Sequence, residues 1–365
     1  MPTLKLRLIE EQLEVVEYLL EFSKPIQTLG GYAGTGKTTV IKELQKRLPD
    51  FAVCAFTGKA AHVLRRKGVP ASTIHLLIYK PLVTTQTNGR PGVAWELKDR
   101  SDLEFNGFIV DEASMVNREL YDALCSFGLP IIFVGDHGQL EPVGGKNFNL
   151  MAEPDVALEK IHRNAGEIAH FADFVRKGNR PASWRHHNLC TGKKVKLTSW
   201  ADLSENMTED PDQIICAFNR TRIRLNQLVR EIEGLPPDRA VVGDRVMCLM
   251  NEHNLGVFNG MQGEVAEIDW DEQSMLFSAD GREIPVRFRP EHFNSNQEIN
   301  FCDLRKLHRL PFDYCYAVTC HKAQGDEWDN VLVVEQRCRG WSHARWAYTA
   351  ASRARKVLCW IPYEW

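Results

Sequence analysis

The 365-residue chain contains no apolar run approaching the ~20 residues that a membrane-spanning helix needs. Its first residues, MPTLKLRLIEEQLEVV, bring acids early and offer no small-residue cleavage site, which argues against a secretory leader. The 10 cysteines are scattered without a C-x-x-C pair. That excludes a zinc or iron–sulfur framework and leaves buried free thiols in a reducing, cytoplasmic setting as the expectation. No repeat of fixed period and no low-complexity tract is present. Excess positive charge is missing too. With 45 Lys and Arg against 48 Asp and Glu the formal net charge is −3, so any nucleic-acid contact has to come from a local patch. One stretch lacks acids altogether: residues 336–363 hold no Asp or Glu but carry Arg337, Arg339, Arg345, Arg353, Arg355 and Lys356.

What is present is an alternation of short apolar strands and helices. LIEEQLEVVEYLL sets Leu8, Ile9, Leu13, Val16, Leu19 and Leu20 at helical spacing. PIQTL, FAVCAF, GFIVD and PIIFVGD are apolar strands that end in polar or glycine residues, with helical segments such as GKAAHVLRRKG between some of them. This order implies a parallel sheet covered by helices, with ligands collecting at the carboxyl ends of the strands. LVTTQTNGRPGVAWEL alternates around an Asn-Gly turn and predicts a protruding β-hairpin within 79–105. A second α/β set follows residue 160 with KVKLTSW, DQIICAF, NVLVVEQ and KVLCWIP. Inside it, residues 236–310 are rich in short strands joined by turn residues, as in a small barrel.

The chemistry starts at GGYAGTGKTTV, where four glycines fall within seven positions after an apolar strand. Gly31 to Thr38 satisfy G-x-x-x-x-G-K-[ST], a loop whose backbone N–H groups and following helix N-terminus cradle phosphate oxygens. Lys37 would reach the β- and γ-phosphates, and Thr38 a Mg2+ ion. FIVDEAS supplies the partner: Asp111 can hold Mg2+ and Glu112 can take a proton from attacking water. In VGDHGQLEPVGG, Gln139 is an uncharged group able to bond a γ-phosphate and report its presence.

These three stretches, in this order, resemble motifs I, II and III of superfamily 1 helicases, and most closely the B branch of RecD-like and Dda-like enzymes. The likeness runs from about residue 8 to 360. Gln12 is similar to that family's upstream Gln that reads adenine. FTGKAA with Thr57 and Lys59, and STIHLL with Thr73 and His75, resemble segments that grip single-stranded DNA. LEKIHRN with Arg163 is similar to motif IV, YAVTCHKAQGDEWDNV to motif V and YTAASRARK with Arg353 to motif VI. The sequence departs from the family at Glu141 (usually Pro), Ala323 (frequently Ser) and Ser352 (frequently Thr).

The resemblance implies an α/β fold of two RecA-like P-loop NTPase domains, 1–158 and 159–365. The 79–105 hairpin would be the 1B pin and the 236–310 insertion an SH3-like 2B barrel. ATP and Mg2+ would bind through Gln12, Gly31, Ala33, Gly34, Thr35, Gly36, Lys37, Thr38, Thr39 and Glu327, with Thr38 and Asp111 on the metal. Catalysis would fall to Lys37, Asp111, Glu112, Gln139, Arg163 and Arg353, the two arginines being otherwise surface ion-pair residues. Single-stranded DNA would lie on Thr57, Lys59, Thr73, His75, Thr319, His321 and Lys322, His321 being alternatively a satisfied core histidine. Trp95 either stacks on a base or anchors the hairpin; Trp270 and Phe277 belong to a core. The implied activity is an ATP-dependent DNA helicase moving 5′→3′ and acting on forked duplex in a bacterial or phage-infected cytoplasm. A translocase with little unwinding, a slow ATP-dependent binding switch and an RNA track remain as alternatives.

Overall fold

The computed structural model describes residues 8–85, 91–140, 148–160, 166–208, 211–252, 255–295 and 309–363. Two compact units divide the chain, Met1–Ala165 and Gly166–Trp365.

The first unit opens with α1 (Glu10–Leu20), β1 (Ile26–Gly31), α2 (Lys37–Arg47), β2 (Phe51–Ala55), α3 (Gly58–Arg66), β3 (Ala71–Thr73) and α4 (Ile74–Ile78). It continues with β4 (Tyr79–Thr85), β5 (Pro91–Leu97), β6 (Gly107–Asp111), α5 (Arg118–Cys125), β7 (Ile131–Gly135) and β8 (Val156–Leu158). Among the described residues the main sheet is parallel, in the order β3-β2-β6-β7-β1-β8. Alternate residues of each strand serve opposite faces. Ile132 and Val134 join Val16, Leu19, Val40 and Ile41 of α1 and α2 on one side, while Ile131 and Phe133 join Ile74, Leu120 and Leu124 on the other. Continuous apolar strands of this kind are what a sheet buried on both faces requires.

In α1 the buried stripe is Gln12, Val15, Val16 and Leu19. Leu13, expected inside, is 42% exposed. It lies one residue, hence about 100° around the helix, from the Gln12 position that the fold turns inward. The hairpin forms as expected: β4 pairs antiparallel with β5 from Tyr79↔Leu97 to Thr85↔Pro91. Its paired part ends at Leu97, and the chain returns through a 3-10 turn at Arg100–Asp102. The turn between the strands and the Trp95 side chain lie outside the described residues.

The second unit holds α6 (Glu167–Arg176), β9 (Val195–Leu197), α7 (Leu203–Thr208), β10 (Gln213–Cys216) and α8 (Asn219–Ile232). β11 (Arg245–Cys248), β12 (Gln262–Asp269), β13 (Ser274–Ala279), β14 (Arg282–Arg289) and β15 (Leu310–Tyr314) close into a barrel. β16 (Ala317–Thr319), β17 (Trp328–Val334), α9 (His343–Ala351) and β18 (Ala354–Ile361) complete a parallel sheet in the order β16-β10-β17-β18-β9. Phe277 is fully buried in the barrel, and Trp270 packs edge-on against Phe288 while its indole N–H donates to the Ala240 carbonyl (2.9 Å). Both are core residues.

Helix α8 carries the barrel. Arg222 pairs with Asp313 and Arg230 with Asp244, all four buried. Asn226 donates to the Tyr314 carbonyl (3.1 Å) and accepts from the Ala317 amide (2.7 Å). Of the nine described cysteines, Cys54, Cys216, Cys248, Cys315, Cys320 and Cys359 are buried thiols as expected. Cys125, Cys190 and Cys338 depart from that expectation and are partly exposed.

Candidate nucleotide and nucleic-acid sites

The glycine loop leaves β1 at Gly31, where a Cβ would stand 2.7 Å from the Thr35 hydroxyl and 3.2 Å from Lys37 Cγ. Only glycine permits that approach. Gly36 ends the loop at φ 93°, with the Gln12 amide where a side chain would go. Gln12 is thus built into the loop: its Nε2 donates to the Thr35 carbonyl (3.3 Å), and its Oε1 accepts from the Ile9 amide (3.4 Å). Ala33 and Gly34 are half-buried on the loop, and Lys37, Thr38 and Thr39 form the first turn of α2, which starts without a side-chain cap. Lys37 folds back, donating to the carbonyls of Gly31 (2.7 Å) and Tyr32 (3.1 Å). A glycine loop, an uncapped helix start and one ammonium make a phosphate cradle.

Two neighbouring strands face the loop from β7 and β6. Asp111 closes β6, and its carboxylate accepts from the Glu112 amide (2.9 Å). Burial pushes the Asp111 carboxyl above its ordinary range, although that hydrogen bond and the charges of Lys37 and Lys67 pull the other way. A cation beside such a carboxyl would bring its pKa back down. Glu112 sits at φ 54°, a left-handed conformation unusual for a side chain of its size, and this strained turn redirects the chain at the end of the strand. Beyond β7, buried Asp136 braces Gln139: one carboxylate oxygen accepts from the Gly138 amide (2.9 Å) and the other from Gln139 Nε2 (3.2 Å). Gln139 is itself buried.

Other expected residues occupy places that modify their reading. Thr57 and Thr73 are helix N-caps whose hydroxyls accept from the Ala60 (3.1 Å) and Leu76 (3.3 Å) amides. Both lie at carboxyl ends of strands of the first unit, with Lys59 half-buried on α3 and His75 exposed on α4. In the second unit Thr319 ends β16, His321 is half-buried against Trp341 (ring centroids 5.1 Å apart) and Lys322 is exposed. Glu327 is half-buried just before β17. Arg163 and Glu141 lie outside the described residues.

Arg353 corrects the alternative of a surface ion pair. It is buried, and its guanidinium donates to the carbonyls of Thr349 (2.9 Å) and Asp326 (3.0 Å) and to the Ser352 hydroxyl (2.8 Å). The acid-free stretch is also less basic than it reads, because Arg355 (2.7 Å) and Lys356 (2.6 Å) both pair with Asp329 from a neighbouring strand. Two groups went unnoticed in the sequence. Gln336 accepts from the Ala217 amide (3.0 Å) and donates to the Thr221 hydroxyl (2.7 Å), and the Phe218 and Trp341 rings stack 5.9 Å apart. Nothing local marks either contact, since more than a hundred residues separate the partners.

The family described as AAA domain matches residues 7–189, half of the chain, and the one described as UvrD-like helicase C-terminal domain matches 314–360. The ATP-dependent RecD2 DNA helicase of Deinococcus radiodurans is 27% identical over 391 aligned positions, covering 95% of this chain and 48% of that protein. The ATP-dependent DNA helicase dda of Enterobacteria phage T4 is 27% identical, covering 56% of this chain and 52% of that one. The conjugal transfer protein TraA of Rhizobium radiobacter is 27% identical, covering 90% and 30%. The chain therefore spans about half or less of the length of these relatives. Among solved structures, Pif1 helicase from Bacteroides in complex with ADP-AlF3 and ssDNA superposes with a TM-score of 0.67 at 20% identity, over 99% of this chain and 94% of that one. Pif1 helicase from Candida albicans gives 0.60 at 20% identity, over 98% and 95%. The fold is accordingly α/β, with two RecA-like units, a hairpin inserted in the first and a small barrel in the second. The chain belongs to the AAA-domain family of P-loop proteins, within the superfamily 1B branch that includes RecD2 and Dda.

Proposed function

We propose that the chain is an ATP-dependent DNA helicase that moves 5′→3′ along single-stranded DNA and opens forked duplex. One observation carries the reading. Neighbouring strands β6, β7 and β1 end together in the Asp111–Glu112 pair, the Asp136-braced Gln139 and the Lys37 loop. Nucleotide storage needs only the loop; a paired acid beside it is what activates water.

Lys37 and the loop N–H groups would hold the β- and γ-phosphates, and Gln12 would meet the adenine edge. Thr38 and Asp111 fit Mg2+, because the Asp111 carboxyl is buried beside a phosphate cradle and its raised pKa is what a divalent cation reverses. When bound, that ion would supply neutralisation of phosphate charge. Glu112 takes the proton of the attacking water, and Gln139 senses the γ-phosphate. By the resemblance, Arg163 and Arg353 would stabilise the transferred phosphoryl group, a contribution of roughly 10³–10⁵ in rate for an arginine finger. Hydrolysis would then drive movement along a strand held by Thr57, Lys59, Thr73, His75, Thr319, His321 and Lys322, with the 79–105 hairpin as the wedge. Direction rests on the resemblance to the B branch.

The test is unwinding of forked duplexes that carry only a 5′ or only a 3′ tail, with Lys37→Ala as the control. Opening of the 5′-tailed substrate alone, lost in the control, supports the proposal. Opening of the 3′-tailed substrate alone reverses the polarity. ATP hydrolysis stimulated by single strands without opening of either substrate replaces the helicase by a translocase.

A further inference from the structure

In the second unit, three connections leave the carboxyl edge of adjacent parallel strands β16, β10 and β17. That edge is where open α/β sheets take their ligands. The first connection carries His321, the second Phe218 and the third Trp341. Their rings form one row. Phe218 stacks on Trp341 at 24° with centroids 5.9 Å apart, and His321 meets Trp341 at 57° and 5.1 Å. Phe218 is 38% exposed, so the row ends in an aromatic ring open to solvent.

The row is held in place. Gln336, just past β17, accepts from the Ala217 amide (3.0 Å) and donates to the Thr221 hydroxyl (2.7 Å), gripping the chain on both sides of Phe218. A lone exposed apolar side chain is ordinary. An exposed ring backed by a second ring, with its backbone bracketed by a glutamine, is preorganised for something flat. The charge around it narrows the choice. Arg220, in the first turn of α8, and Arg339, on the third connection, are both exposed. A flat group attached to an anionic chain is a nucleobase.

We propose that the outer face of Phe218, backed by Trp341, is a stacking subsite for one base of a single-stranded nucleic acid. The inference rests on the single-strand reading above and adds to it a contact made to the base instead of the phosphate. Every base has a π-face, so the subsite is indifferent to sequence. It is sensitive to the presence of a base, which phosphate contacts are not.

The experiment measures binding of wild-type protein, Phe218→Ala and Phe218→Trp to a labelled oligothymidylate and to an abasic oligonucleotide of equal length. Phe218 is exposed, so both variants should fold, which circular dichroism checks. Expected is a loss of about 5- to 100-fold for Phe218→Ala on oligothymidylate, little change on the abasic strand, and recovery in Phe218→Trp. Comparing the two strands isolates the ring–base contact as a double-mutant cycle does. Unchanged affinity for oligothymidylate, or equal losses on both strands, overturns the subsite and leaves the single-strand reading standing. Wild-type protein that binds neither strand overturns that reading and the subsite with it.

Discussion

The Lys37 ammonium lies 2.7 Å from the carbonyl oxygen of Gly31, the residue that ends β1. The loop's own carbonyls therefore hold the charge that a triphosphate would claim, so nucleotide binding exchanges these bonds for stronger charge-assisted ones to phosphate. Lys37→Ala removes the acceptor's partner without touching the core. Phosphate release is expected to fall at least about 10²-fold, as when one electrostatic stabiliser of a transition state is removed. Thermal unfolding should shift little. A normal turnover rate in the variant would exclude this loop as the hydrolytic site.

Glu112 separates binding from hydrolysis. Glu112→Gln keeps the size of the side chain and the left-handed backbone, and removes only the base. Nucleotide affinity should persist while hydrolysis slows by about 10²- to 10⁴-fold. The φ of 54° adds a second expectation. Glu112→Gly should be as inactive, yet more stable by up to about 1 kcal/mol in chemical denaturation, because glycine occupies that region without strain.

Local pattern carried much of this architecture. The glycine loop, the acid pair, the hairpin and the single strands of the barrel are each written in a short stretch, whereas the barrel closes through β15 (Leu310–Tyr314), which pairs with distant β11 and runs past the expected end at 310. Orientation is less visible. The apolar spacing of α1 suits Leu13 as well as Val15, and only the glycine loop's need for the Gln12 amide turns the helix to bury one and expose the other. Thr57 and Thr73 show the reverse ambiguity. A threonine before a helix reads as a strand contact or as a cap, and the structure uses both hydroxyls as caps. Phe218 and Trp341 meet only through the order of the second sheet, which no local window contains.

Arg353 tests whether a buried arginine can serve both fold and chemistry. Three of its N–H groups are committed to the Thr349 and Asp326 carbonyls and the Ser352 hydroxyl. Arg353→Ala leaves those acceptors without their donor and should destabilise the protein by about 1–3 kcal/mol. Arg353→Lys keeps the charge but lacks the planar fork, so it should retain more stability than alanine and still hydrolyse slowly. Full hydrolysis by a destabilised Arg353→Lys variant would make the residue purely structural.

Glu167 gives the second unit a defined acid limit. Its carboxylate starts α6 and accepts from the Thr191 amide (2.6 Å) and hydroxyl (2.6 Å), the Gly192 amide (2.9 Å) and the Lys194 amide (2.9 Å). Burial alone would raise its pKa; the four donors outweigh burial and bring it down to about 2. A carboxyl whose folded pKa is depressed stabilises the fold fully above its unfolded value, and that stabilisation is lost as pH falls toward the folded one. The window is thus from the ordinary 4.5 down to about 2. Over it the group should contribute on the order of 3 kcal/mol, by the free energy of a pKa shift of that size. Glu167→Gln cannot accept all four bonds with a neutral amide. It should unfold at lower denaturant concentration at neutral pH and show a flatter pH dependence of stability below 4.5 than the parent. Equal acid sensitivity of variant and parent would mean that other carboxylates govern acid unfolding, and that this four-donor clasp is held together by backbone geometry rather than by the charge it encloses.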